Sequence, residues 1–242
     1  MSDLRKDAPD DVDLGRVWLS VAALVWRRQP GWLERTAGRL LRSPGLARAL
    51  LTTPSLLLPW LLTSIVVLAA GAAATTDSGQ PLVALLAPAV AAAAIAYSYG
   101  PGIDPAWELA CSMAVSDRMV LLVRALAVFA VNAVLGLAAS AVSAVSAVSA
   151  SGAAAAVTFG WLIPMTAVCA FALAVATVAR SANAGAAAGV AAWLIIVLSG
   201  RVASGQFAAA VTDTVLFLPY LAIGAGCAAV ALYATRIPRG TL

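Results

Sequence analysis

The residues best suited to chemistry lie in one segment, Tyr97–Arg124, which reads YSYGPGIDPAWELACSMAVSDRMVLLVR. Asp104 can accept hydrogen bonds as a helix N-cap, and Pro105 fits the first helical position because it has no N–H to lose. Glu108 follows in the first turn, where the helix dipole favours negative charge. The pattern predicts a short capped helix with exposed carboxylates. Such a helix either docks another protein subunit or merely reverses the chain at a membrane surface.

The sequence lacks the residues that several common kinds of catalysis require. There is no histidine, the commonest general base and metal ligand. Lys6 is the only lysine, so a phosphate-binding G-x-x-x-x-G-K-[ST] loop cannot occur. Cys111, Cys169 and Cys227 lack the spacing of a zinc site or a disulfide framework. The sequence therefore predicts a non-enzyme with no catalytic residue, no metal site and no cofactor of its own.

The elements that position this segment are strongly apolar. Of 242 residues, 62% are hydrophobic and 11% are charged, against about 45–50% and 25% in soluble domains. No Asp, Glu, Lys or Arg occurs in Ala49–Thr76, Ala125–Ala179 or Thr214–Thr235. About 20 apolar helical residues cross a bilayer, so these stretches have spanning length. The predicted fold class is an all-α polytopic membrane protein.

The predicted domain organisation has four parts. Residues 1–13 are predicted to form a disordered acidic tail, 14–50 form amphipathic interfacial or connecting helices, and 237–242 form a cytoplasmic tail. Between them, 51–236 form a six-helix transmembrane domain, with the capped helix at 103–113 connecting its second and third spans. We place the spans near 51–75, 81–99, 119–142, 156–179, 184–200 and 214–235.

The interfacial region contains a basic stripe. Arg35, Arg39 and Arg42 recur at i, i+4 and i+7, opposite apolar residues that include Trp32 and Leu33. A helix of this kind suits the anionic surface of a cytoplasmic leaflet, where each basic residue contributes about 1 kcal/mol. The alternative is a solvated helix that packs on the protein's own loops.

The distribution of basic residues predicts the orientation in the membrane. With six spans, every basic residue except Arg201 falls on the side of the two termini, which the positive-inside rule makes cytoplasmic. Arg124 alone enters a span, near its cytoplasmic end, where it could snorkel to the headgroups. Ion-coupled transport usually needs charge at membrane depth, and none is predicted there. Active transport would therefore need energy from a partner.

The segment GPGIDPAWELACSMAVSDRMVLLVR, between the second and third spans, resembles the cytoplasmic loop of ABC-2 type transporter permeases, especially small actinobacterial ones. It departs from that family's pattern at Ala114 and Val115, where a proline is usual. The resemblance implies a permease subunit of an ATP-driven exporter in the bacterial plasma membrane. Two copies of a cytosolic ABC ATPase, which hold ATP and Mg, and a second permease copy, as a homodimer or heterodimer, would complete it.

The resemblance also implies a coupling surface for the ATPase, with Arg35, Arg39 and Arg42 contacting either the membrane surface or the ATPase. Its residues are Pro105, Trp107, Glu108, Leu109 and Arg124, together with the neighbouring Asp104 and Arg118. A hydrophobic or amphipathic solute could pass polar and aromatic residues within the spans, although residues of these types more often serve helix packing. They are Asn132, Thr158, Trp161, Met165 and Thr166. The alternative function is a membrane-anchored regulatory or assembly protein without transport activity. Neither function calls for a nucleic acid partner.

Overall fold

The computed structural model divides the chain into two units, residues 1–48 and 49–242, which we describe separately. All regular structure in the described part of the chain is helical. The described residues are 15–17, 20, 31–40, 54–78, 80–99, 117–146 and 160–235.

The first unit contains helix α1, Trp32–Leu40. Arg35 and Arg39 lie one turn apart on it, and both side chains are exposed. The Trp32 ring is 69% exposed, and its carbonyl accepts a hydrogen bond from the Thr36 hydroxyl at 3.1 Å. Arg42 lies outside the described residues. The described arginines of the predicted stripe are therefore available to an anionic surface or a partner.

The second unit is a bundle of apolar helices. They are α2 (Pro54–Ser78), α3 (Leu82–Ala96), α4 (Asp117–Ser146), α5 (Leu162–Ala179), α6 (Ala182–Ser204), the short α7 (Ala209–Thr212) and α8 (Phe217–Ala234), which a 3₁₀ turn (Thr214–Leu216) precedes.

Four regions of the bundle are long and apolar enough to cross a membrane, which confirms the all-α transmembrane character. They are Arg118–Ala144, Leu162–Ala179, Ala182–Ser204 and Thr214–Ala234. The first two helices of the bundle contain shorter apolar stretches, Pro59–Thr75 and Leu82–Ala96. The count of six spans and the cytoplasmic placement of both termini remain predictions.

The turn between α5 and α6 is built by two residues. Arg180 ends α5 in the left-handed region at φ 53°, and the Ser181 hydroxyl caps α6 by accepting from the Ala184 N–H at 3.3 Å. This cap starts α6 at Ala182, two residues before the predicted span at 184–200. At its other end α6 continues to Ser204, because Gly205 at φ 76° provides the C-cap.

The segment after the predicted fifth span also has regular structure. Arg201 belongs to the last turn of α6, and its guanidinium carbon lies 5.0 Å from the centre of the exposed Phe207 ring. The Asp213 carboxylate then accepts from the Val215 N–H at 3.0 Å and caps the 3₁₀ turn. The predicted outer connection is thus partly helical.

Two long-range hydrogen bonds show that α3 and α6 run antiparallel. The Trp193 indole N–H donates to the Leu85 carbonyl at 2.6 Å, and the Tyr97 hydroxyl donates to the Asn183 side-chain oxygen at 3.0 Å. Tyr97 follows the last turn of α3, whereas Asn183 lies in the first turn of α6. The end of α3 and the turn at Arg180 therefore lie together, at what we call the basic end of the bundle.

The helices α2 and α4 run in the same direction, away from the basic end. Only residues 79–81 connect α2 to α3, so these two are antiparallel. On α4, buried positions extend from Val120 to Ser143, and Gly136 contacts Trp161 at the start of α5. Because α5 runs toward the basic end, its start and therefore Gly136 lie at the opposite end of the bundle. The stretch from Asp117 to Gly136 is about as long as α5, so the start of α4 lies at the basic end.

The hydrogen bond between Trp193 and Leu85 leads to a first prediction. Trp193→Phe keeps an aromatic ring in the 1% exposed site but removes the N–H donor. We expect a loss of about 1 kcal/mol in the free energy of unfolding, the usual worth of one interhelical hydrogen bond. The measurement is thermal denaturation in detergent, with Trp32→Phe on the exposed face of α1 as control. Equal midpoints for the two variants would contradict the prediction.

Candidate functional site

Most described residues of the predicted solute path lie inside the bundle. Asn132 is 2% exposed, and Trp161 and Met165 are fully buried. Thr166 is exposed instead, and its hydroxyl donates to the Ile163 carbonyl at 2.6 Å within its own helix. Thr158 lies outside the described residues. The interior therefore has a polar position at Asn132 with an indole and a thioether among the side chains buried with it.

Asn132 sits at the middle of α4, which runs Asp117–Ser146. Its amide nitrogen donates to the Val128 carbonyl at 2.9 Å, one turn back on the same helix. Its side-chain oxygen is buried and has no hydrogen-bond partner among the described residues. A polar atom left unpaired in an apolar interior is costly. Asn132 therefore presents an acceptor at a depth where lipid supplies none.

Trp161 packs its six-membered ring directly on Gly136, one turn beyond Asn132 on α4. A Cβ at position 136 would lie 2.5 Å from the ring carbon Cη2, so the ring occupies the space that any side chain would need. The Trp161 indole nitrogen is buried, and no described residue accepts its hydrogen bond. Gly136 thus makes room for the outer edge of the six-membered ring, whereas the N–H belongs to the five-membered ring beyond it.

Ser64 supplies a third polar group that sequence reasoning did not single out. It is 1% exposed on α2, and its hydroxyl has no hydrogen-bond partner in the described part of the chain. The buried positions Ser64, Leu68 and Ala72 follow one another at helical spacing. The signal in the sequence that could have identified Ser64 is a hydroxyl side chain within an uncharged apolar stretch. Ser64, Asn132 and Trp161 thus each have a buried polar atom without a described partner, on three separate segments of the chain.

A groove of about 400 Å³ lies between α2 and α4. Every residue that lines it is aliphatic: Ile65, Leu68, Ala69, Ala72, Ala73, Leu135, Ala138, Ala139 and Val142. Five of the lining residues are alanines, whose small side chains leave space between the two helices. Several of the lining side chains are exposed. We call this cavity the aliphatic groove. It has the size and apolar character of a small-molecule pocket.

The arginines of α4 lie near its beginning at the basic end. Arg118 is half-buried, and Arg124 is only 9% exposed and engaged with other groups of the protein. The predicted snorkelling of Arg124 thus differs from the structure, where helix packing encloses the side chain. The remaining predicted coupling residues lie outside the described residues: Asp104, Pro105, Trp107, Glu108 and Leu109.

The described site is equipped for binding. An acceptor, a donor and a hydroxyl are buried without described partners on three separate segments, and an aliphatic groove lies between α2 and α4. Within the described ranges, no three His, Cys, Asp or Glu side chains come together in a way that could hold a metal ion. Comparisons with protein families, curated proteins and solved structures match nothing to this chain. The described class is therefore an all-α transmembrane protein with an apolar interior that contains a few buried polar side chains.

Proposed function

We propose that the chain is a permease subunit of an ATP-driven, ABC-2 type exporter in the bacterial plasma membrane. The observation that carries the proposal is the acidic segment between α3 and α4. It joins the helix end next to Tyr97 to the helix start next to Arg118, and the turn at Arg180 lies at the same end of the bundle. Asp104 and Glu108 occur in the sequence between these two helix ends, and carboxylates on a cytoplasmic connection suit a docking surface for a cytosolic partner.

The chain needs such a partner for active transport. Lys6 is its only lysine, so it has no phosphate-binding loop of its own. In the proposed complex two ATPase copies bind ATP and Mg and move toward each other. Residues 103–113 transmit this movement to the transmembrane helices. A second permease copy completes the translocation path. The solute is hydrophobic or amphipathic, in keeping with the aliphatic lining of the groove.

The test is isolation of the tagged chain in mild detergent, followed by identification of its partners. We expect an ABC ATPase to copurify with the wild-type chain. Trp107→Ala combined with Glu108→Ala should reduce the recovered ATPase by about tenfold or more, as for loss of interface hot spots. Asp11→Ala, which removes a carboxylate from the N-terminal tail, serves as control and should recover ATPase as the wild type does.

Two results would overturn the proposal. One is wild-type protein that brings no ATPase, and the other is a double variant that retains the ATPase fully. Exposed Arg35 and Arg39 on α1 favour the second candidate function, a membrane-anchored regulatory or assembly protein. In that case a cytosolic partner other than an ATPase would copurify, and Arg35→Ala with Arg39→Ala would release it.

A further inference from the structure

The aliphatic groove opens at the outer surface of the bundle. Its lining includes Leu68 and Ala72, which are 2% and 8% exposed, and also Ile65 and Val142, which are 42% and 62% exposed. The first pair forms a closed floor and the second pair an open rim. No charged residue occurs along the lining of either helix. In a membrane the medium beside such an opening is hydrocarbon, so the groove faces lipid.

The groove lies in the half of the bundle away from the basic end. Its lining covers residues 65–73 of α2 and 135–142 of α4, in the second half of each helix. It ends two residues before the two apolar stretches end, at Thr75 and Ala144. At 1.5 Å per residue the α2 lining is about 12 Å long, close to the roughly 15 Å of one leaflet of the hydrocarbon core. The groove therefore follows one leaflet.

The width of the groove suits a slim occupant. A volume of about 400 Å³ spread over about 12 Å leaves a cross-section of about 33 Å². An α-helix with its side chains is about 10 Å across, which is a cross-section of about 80 Å². A helix of a second copy would cover the groove without filling it, whereas an extended hydrocarbon chain can lie inside it.

The lining recognises hydrocarbon and nothing else. All its residues are Ala, Leu, Ile or Val, so no side chain offers a hydrogen bond, a charge or an aromatic face to an occupant. An empty groove would forfeit the dispersion contacts of these side chains. Just beyond the groove the sequence of α2 becomes polar, at Thr76, Asp77 and Ser78. The occupant is thus a chain that is aliphatic over one leaflet and ends where polar groups begin.

We propose that the aliphatic groove binds one acyl chain of a membrane phospholipid, from the leaflet away from the basic end. The chain lies on Leu68 and Ala72 between α2 and α4, and the headgroup lies beyond Ala73 and Val142. The surrounding side chains hold this lipid while lipid on the remaining surface exchanges freely. The inference goes beyond the proposed export function and does not depend on it.

The experiment uses the purified full chain in mild detergent without ATPase. The probe is a phosphatidylcholine with a photoreactive diazirine near the middle of one acyl chain, chosen because it has no net charge. The protein is incubated with the probe, washed with probe-free detergent and then irradiated. We expect labelling within residues 65–73 and 135–142 to exceed labelling around the exposed Leu194 and Leu198 of α6 about tenfold, equivalent to about 1.4 kcal/mol in retention.

Variants on both rims test whether the chain lies inside the groove. Ala69 and Ala138 are exposed lining residues on α2 and α4. Ala69→Phe and Ala138→Phe should each lower the groove labelling about tenfold, because the added ring occupies the space of the chain. Ala138→Ser keeps that space and should label as the wild type does. Ala191→Phe, at an exposed position of α6, is the matched control, and unfolding midpoints show that each variant is folded.

Three outcomes would overturn the inference. Equal labelling of the groove and of the α6 surface after washing means that the groove retains no lipid. Full labelling of both phenylalanine variants means that the chain binds elsewhere. An unlabelled groove, together with a wild-type dimer that Ala138→Phe converts to a monomer in light scattering, means that a second copy covers it. Copurification of an ATPase is a separate measurement, so failure of the exporter proposal would leave these results unchanged.

Discussion

Replacing Gly185 by valine is expected to destabilise the transmembrane bundle by about 3 kcal/mol, at the upper end of overpacking effects. A Cβ at this position would lie 2.6 Å from the Ala172 carbonyl oxygen and 2.6 Å from the Ala176 Cβ. The Ala172 oxygen belongs to the backbone of α5, as does the Ala176 Cα, which would lie 3.0 Å away, so rotation of a side chain cannot relieve the contact. The helices α5 and α6 would have to separate, and Gly189 one turn later would lose its contact with Ala172 as well.

The measurement is the thermal unfolding midpoint of purified protein in detergent, supported by the monodisperse fraction after heating. Gly226→Val on α8 is the matched control, because no atom lies within 4 Å of a Cβ built there. We expect a large downward shift for Gly185→Val and little change for the control. If both variants unfold at the wild-type temperature, the close approach of α5 and α6 is wrong.

The pair Gly185 and Gly189 illustrates how much of the fold could be predicted from sequence. Small residues at four-residue spacing are typical of helices that pack closely in lipid, and the uncharged stretches predicted membrane-spanning helices. Which helices meet at Gly185 could not be predicted. The helices α3, α5 and α8 are apolar on all sides, so they lack the amphipathic pattern that identifies a buried face. Which helices pack against them depends on shape complementarity between distant parts of the chain.

The same limit applies to the candidate site. Asn132 and Trp161 were predicted as possible path residues because polar and aromatic side chains stand out in an apolar span. Thr166 had the same signal, yet it is exposed and bonded to its own helix. Ser64 was missed, because its burial depends on which face of α2 packs inward. Periodicity cannot distinguish these positions, and only the tertiary arrangement does.

The capped ends of the helices are easier to predict from sequence than the helices that each one packs against. Ser181 and Asp213 are residue types that favour N-caps, and each accepts a backbone hydrogen bond where a helix begins. Gly205 ends α6 with a positive φ, as is common after a helix. Such local chemistry is encoded within a few residues, so it needs no knowledge of packing. The burial of Ser64, Asn132 and Trp161 involves three distant segments and therefore depends on the fold.

Asn132→Asp is expected to destabilise the protein by about 3 kcal/mol at neutral pH, the cost of a carboxylate at the centre of a membrane helix. Asn132 lies at the middle of α4 and is 2% exposed. Aspartate would also lose the amide donor to the Val128 carbonyl. Asn132→Leu should leave the free energy of unfolding unchanged or raise it by up to about 1 kcal/mol. The reason is that it removes a buried acceptor without a described partner.

The opposite behaviour of the two variants shows whether the Asn132 amide stabilises the bundle. Only aspartate should lower the unfolding midpoint. Asn183→Asp is the matched control, because Asn183 is exposed at the basic end and its side-chain oxygen, which aspartate retains, accepts from Tyr97. A markedly lower midpoint for Asn132→Leu would mean that the amide stabilises the bundle itself. Its buried oxygen would then have a structural role, with a partner outside the described residues.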